Sequence, residues 1–198
     1  MTDIIFAKNY EHVVGIEGLY SDNPADSGGE TWKGIARNRW PTWEGWPLID
    51  AARQLLGFPQ NLALDTNLEQ TVRGFYRVHF WDKLACDDIS ALSARTAAEM
   101  FEQAVNHGTT LAGENLQKCL NALNNGGKYY ADLAEDGAIG AKTLAALAAF
   151  FARRGAEGET VLLRMLNVCQ GMHYISLSRH RAKDEAFVYG WFLHRIAI

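Results

Sequence analysis

The sequence predicts a mainly α-helical fold of the α+β kind: a helical bundle with one small β or irregular lobe inserted after the first helix. Three observations carry this. Apolar residues recur at three- and four-residue steps over most of the chain. One segment, Ser21 to Gly34, interrupts that rhythm with Asp, Asn, Pro and Gly, the composition of turns and short strands. A chain of 198 residues with 48% hydrophobic and 21% charged side chains is also long and apolar enough to bury a core.

The first helix is marked by Phe6, Tyr10, Val13, Val14 and Glu17, which share one helical face, and Gly18 is its stop signal. Four of the six tryptophans, Trp32, Trp40, Trp43 and Trp46, fall in or just after the turn-rich segment, where Pro41 and Pro47 break regular structure. From Asp50 the pattern is helical again. Asp65 or Thr66 caps a helix running through Val72, Phe75 and Tyr76 towards Trp81. Ser93 caps the next, with Ala97, Met100, Phe101, Ala104 and Val105 as its apolar face and Asn106-His107-Gly108 as its end. Another starts near Thr110 and carries Leu111, Leu116, Cys119, Leu120 and Leu123. Asn124 to Gly127 is a break, and the best boundary between two regions, 1–124 and 125–198, which are expected to pack into one compact unit. Helices then cover Thr143 to Phe151 and about Glu159 to Arg181, and the chain closes on Phe187, Trp191, Phe192 and Ile196.

Bulk properties exclude several functions. A net charge of −4 without a basic run argues against nucleic acid as a partner. No stretch approaches the ~20 apolar residues that span a bilayer, so no stable membrane insertion is expected. The apolar run Ile4 to Ala7 is too short for the core of a secretion signal, and synthesis in the cytoplasm is expected. Cys86, Cys119 and Cys169 are odd in number and lack a CxxC spacing. They match neither a disulfide framework nor a zinc site, and Cys119 and Cys169 are expected as reduced, small core residues. His173 and His180 are seven apart, two helical turns rather than the one turn of a metal pair. No metal and no cofactor is expected.

Glu17 is the residue out of place. A carboxyl group on an apolar helical stripe is desolvated, which raises its pKa and suits it to hold a proton as a general acid. The alternative is a frayed helix end with Glu17 in solvent. The following loop supplies Asp22, Asp26, Glu30 and Thr31. Glycoside hydrolysis uses two carboxyl groups, or one and a held water, on opposite sides of the scissile bond. A helix-end glutamate facing an aspartate on a hairpin can supply that pair, although Asp and Gly in a loop also mean simply a turn.

Glu17-Gly18-Leu19-Tyr20, followed by Pro24, Asp26, Gly28-Gly29, Thr31 and Gly34-Ile35, resembles the signature of glycoside hydrolase family 108, Glu-Gly-Gly-Tyr then Pro-x-Asp-x-Gly-Gly-x-Thr-x-x-Gly-Ile. Leu19 stands where the second glycine is usual. Phe101-Glu102-Gln103-Ala104-Val105-Asn106-His107-Gly108 is similar to the family's Phe-Asp-x-Ala-Val-Asn-x-Gly, with Glu102 in place of Asp. Asp136-Gly137-Ala138-Ile139-Gly140 with Thr143 is similar to the Asp-Gly-x-Ile-Gly-x-x-Thr of the peptidoglycan-binding region that follows in this family. That segment also reads as a turn and helix start.

The resemblance implies a lysozyme-like fold, with 1–124 as the catalytic region and 125–198 as a peptidoglycan-binding module. It implies an endolysin-type N-acetylmuramidase that cleaves peptidoglycan between N-acetylmuramic acid and N-acetylglucosamine, with Glu17 as the acid. Such an enzyme is expected as a monomer that acts on the wall in the periplasm, released from a bacterial host's cytoplasm with a holin partner. By looser analogy to phage-type lysozymes, Asp26 holds the attacking water and Thr31 positions it; Asp26 as a turn-capping residue is the other reading. Tyr20, Trp32 and Asn106 are candidate substrate-binding residues. Their alternatives are packing for Tyr20, lobe core for Trp32 and helix capping for Asn106. Two rival functions stay open: a lytic transglycosylase, and a non-catalytic wall-binding or secretion accessory protein.

Overall fold

A computed structural model describes residues 2–16, 19–22 and 28–196, and Glu17 and Asp26 lie outside the described residues, as do Gly18 and Pro24. The chain divides into two compact units, one formed by residues 3–79 and the other by 80–198.

In the first unit α1 spans Thr2–Ile16, and Phe6, Tyr10, Val13 and Val14 are all buried, as the stripe predicts. Three two-residue strands follow, β1 (Tyr20–Ser21), β2 (Thr31–Trp32) and β3 (Ile35–Ala36), in an antiparallel sheet of order β1-β2-β3. Trp32 pairs with Ile35 across a two-residue turn, Lys33-Gly34, in which both residues have positive φ, 45° and 79°. That is the twist a tight hairpin requires. Glycine adopts it freely, whereas Lys33 does so under strain and needs outside support.

Helix α2 (Gly45–Ala52) starts five residues before the Asp50 that the pattern suggests, and Pro47 sits inside it. Proline is tolerated in a first turn because the N–H it lacks has no helical partner there. After a 3-10 turn at Gln60–Leu64 comes α3 (Thr66–Tyr76), whose cap is Asp65: its carboxylate accepts from the backbone N–H of Asn67 and Leu68. Trp43 and Trp46 are buried and meet edge to face at 5.1 Å. They are lobe core, together with Phe75, which is 6.1 Å from Trp43.

The second unit contains α4 (Cys86–Leu92), α5 (Ala94–His107), α6 (Thr109–Leu123), α7 (Ala141–His180) and α8 (Glu185–Arg195). The Ser93 hydroxyl caps α5 by accepting from Thr96 N–H and also donates to Glu159 of α7 at 2.6 Å. The two late helices expected from the sequence form the single span α7, joined at Gly155, whose φ of 55° and ψ of −145° break the helical path. Helix α4 has no counterpart in the sequence reading; seven residues are too few for periodicity to register.

The segment from Asn124 to Gly140 packs on α6. The Gln117 amide donates to Asp136 Oδ1 and to the Ala138 carbonyl, and its oxygen accepts from Gly137 N–H. Asp136 also accepts from Ala138 N–H. Gly113 lies against this turn so closely that a Cβ there meets the Gly137 carbonyl oxygen at 2.1 Å. Gly113→Ala is therefore expected to lower unfolding free energy by about 3 kcal/mol, measured by chemical denaturation. A loss below about 1 kcal/mol would mean that the turn yields easily and is not locked to α6.

Candidate active site

One candidate residue of the first unit, Tyr20, meets a buried carboxylate, Glu30, that sequence reasoning treated only as one acid of the loop. Glu30 immediately precedes β2 and is 9% exposed. Its Oε1 accepts from the Tyr20 hydroxyl at 3.0 Å and from Arg53 at 2.5 Å, and its Oε2 forms an ion pair with Arg37 Nε at 2.6 Å. Both guanidiniums are held elsewhere too. Arg37 makes a two-pronged contact to Asp50 of α2 at 2.6 and 3.1 Å and covers the Trp46 ring at 4.4 Å. Arg53 donates to the Tyr20 hydroxyl at 3.0 Å, approaches Asp22 at 3.7 Å and lies over Phe58 at 5.2 Å.

Burial, then the hydrogen bond to Glu30, pushes the Tyr20 phenol up to about 12. Tyr20 therefore stays a neutral donor, and its ring packs edge-on against Phe58 at 4.9 Å. Asp22 and Glu30 flank residues 23–27, the stretch that contains Asp26, and both meet Arg53.

A second pin holds the hairpin and α1. Glu69 of α3 accepts from the Tyr10 hydroxyl of α1 at 2.8 Å and from Lys33 Nζ at 2.5 Å. The Lys33 carbonyl accepts from Tyr76 at 2.8 Å, and its N–H donates to the Leu19 carbonyl at 2.9 Å. These contacts hold Lys33 in its left-handed conformation. They also tie α1, through Tyr10, to α3 and the hairpin.

Thr31 is half-buried in β2, paired with Ser21 on one side and Ala36 on the other. Trp32 is 2% exposed, a core residue of the sheet, and its indole N–H has no acceptor among the described residues. Asn106 belongs to the second unit, in the last turn of α5, where its amide lies 3.4 Å from Glu102 Oε1. The α5 end is capped by Gly108, with φ of 94°.

Glu102 is the most perturbed carboxyl group there. Burial first, and then the Glu99 charge, raise it to about 7, against the opposing pull of Arg195 and the Asn106 and Gln170 amides. His107 is driven the other way, to about 4, by burial and the neighbouring His173. Among the described residues no cluster of His, Cys, Asp and Glu is arranged to hold a metal, and no helix is long and apolar enough to cross a membrane.

Residues 10–108 match the family described as glycosyl hydrolase 108, and residues 112–196 match the one described as predicted peptidoglycan domain. Among solved structures, the chain is similar to the Brucella abortus protein SagA, with 26% identity, a TM-score of 0.52, and coverage of 94% of this chain and 97% of that one. A comparison with curated proteins gives no match.

Two outcomes follow from this geometry. Glu30→Ala takes one carboxylate partner from each of two guanidiniums and is expected to cost about 2–4 kcal/mol in unfolding free energy, less than a fully buried pair because Arg37 and Arg53 are 31% and 38% exposed and keep other partners. An unchanged melting temperature would show that the cluster does not support the fold. For Glu102, the folded protein holds the proton above the ordinary pKa of 4.5 and releases it near 7. Stability is therefore lost as pH rises through that window. Relative to Glu102→Gln, the parent is expected to weaken by about 2–3 kcal/mol between pH 5 and about 7.5, read from urea unfolding. Parallel stability curves for the two proteins would contradict the assignment.

Proposed function

The chain belongs to the glycosyl hydrolase 108 family, and from that premise we propose that Glu17 is the general acid of an N-acetylmuramidase. It is a glycoside hydrolase acting on peptidoglycan, of mainly α, lysozyme-like fold. The bond proposed to be cut joins N-acetylmuramic acid to N-acetylglucosamine. Glu17 protonates the glycosidic oxygen, and a water held by Asp26 and positioned by Thr31 attacks the anomeric carbon.

The observation that carries this reading is the Glu30 clamp. Of the loop's acids, Glu30 has both oxygens engaged, Oε1 by Tyr20 and Arg53 and Oε2 by Arg37, and so serves as an anchor of the lobe. Asp22 sits beside Arg53. That supports Asp26 as the acid of the segment that serves the water. Tyr20 is proposed as a second support of the site, through its neutral hydroxyl on the clamp. Asn106 is proposed to meet the N-acetyl sugar, and residues 125–198 to contribute wall binding. The endolysin setting, with release to the wall through a holin, is part of the same proposal.

Glu17→Gln keeps the side chain's shape and removes its acid. It is expected to lower the release of reducing ends from purified sacculi by about 10²–10⁴-fold while leaving the melting temperature near the parent's. Parent-like release by this variant would sink the assignment. Mass spectrometry of the parent's products tests the water step: hydrated reducing ends are expected, and anhydro-muramic ends would mean that the muramic hydroxyl attacks instead.

A further inference from the structure

Cys119 lies on α6 and Cys169 on the part of α7 beyond Gly155, 50 residues apart in sequence. Their wide spacing gives no hint of pairing, yet the fold brings the two sulfurs to 3.9 Å. A disulfide needs about 2.05 Å between sulfurs. The two residues sit on helices that pack against each other, so closing the bridge calls on their side-chain torsions. Cys119 is 2% exposed and Cys169 is partly exposed, while the third cysteine, Cys86, is fully buried.

We propose that Cys119 and Cys169 are an oxidation site: a dithiol in reducing surroundings that a small disulfide oxidant, such as oxidised glutathione, converts into an intrachain bridge between α6 and α7. Cys169 is the attacking group, since a reagent from solvent can reach it. The hydrogen bond with Cys119, and then the Lys118 charge, hold its thiol below the ordinary value against the effect of burial. The same hydrogen bond, followed by burial, pushes Cys119 the other way and leaves it as the resolving thiol.

The Cys169 thiolate attacks one sulfur of the oxidant. The oxidant's S–S bond breaks, and one glutathione leaves and takes up the Cys169 proton. Cys119 then loses its proton and attacks Cys169 Sγ in the mixed disulfide. The second glutathione leaves with that proton. Two cysteine thiols are oxidised and one glutathione disulfide is reduced to two thiols. The bridge closes a loop that contains the Asn124 to Gly140 segment and the Gly155 break, so it restrains much of the second unit's unfolded chain.

The test uses the whole chain, incubated natively with oxidised glutathione or with dithiothreitol, then unfolded, alkylated and mapped by mass spectrometry. Expected are a peptide joining Cys119 to Cys169, an alkylated Cys86, and a melting temperature about 5–10 °C above that of the reduced protein. Cys169→Ser and Cys119→Ala each remove both the bridge and the rise, so either variant serves if the other folds poorly. Three alkylated cysteines after oxidation, glutathione retained on Cys169, or a bridge to Cys86 would overturn the proposal.

Discussion

One buried carboxylate organises the described part of the lobe that follows the first helix. Glu30 gathers Tyr20 from β1, Arg37 from just beyond β3 and Arg53 from just beyond α2. Removing a carboxylate from water is costly, and the two guanidiniums and a phenol return that cost only in one arrangement. The value of such a cluster lies more in geometry than in net stability. Strands of two residues have little ladder bonding of their own, so a sheet this small depends on what its side chains grip.

The second constraint works along a different line. Glu69 joins the first helix to the hairpin turn through Tyr10 and Lys33. The turn needs Lys33 at positive φ, a conformation that most residues avoid. Lys33 is therefore held at three points: by its ammonium, its carbonyl and its N–H. Strain at the turn and placement of the first helix are parts of one network, and a change at Glu69 reaches both.

Local features were legible in the sequence, and long-range ones were not. The buried stripe of α1, the Asp65 and Ser93 caps and the break at Asn124 follow from periodicity and capping chemistry, which act within a few residues. The Glu30 to Arg53 contact spans 23 residues, and the pairing of Cys119 with Cys169 spans 50. Nothing in the local pattern encodes either. Pro47 misled for a different reason: a proline reads as a breaker unless the helix start is known, and here the start lies just before it. The packing boundary at residues 79 and 80 falls inside the first family match, 10–108. The division of relatedness and the division of packing are therefore different properties of this chain. The catalytic pair Glu17 and Asp26 lies outside the described residues and is proposed from the resemblance, since a lone glutamate and a turn aspartate have ordinary explanations.

The Asp136 turn shows how a signature can be met by structure alone. Asp136, Gly137 and Ala138 all bond to or around Gln117, and Gly113 makes room for the approach. The glycine at 137, with φ of 76°, is required by the turn and by its contact with the Thr110 backbone. Glu30 shows the converse. The family pattern leaves its position open, between the second glycine and Thr31, yet in this chain that side chain carries the densest set of charged contacts described in the lobe. A pattern specifies residues that chemistry or backbone geometry makes hard to replace. A clamp can be built from whichever side chains reach one another. In this chain the acid next to Thr31 in sequence is the centre of that clamp, which ties β1 to the residues just beyond β3 and α2.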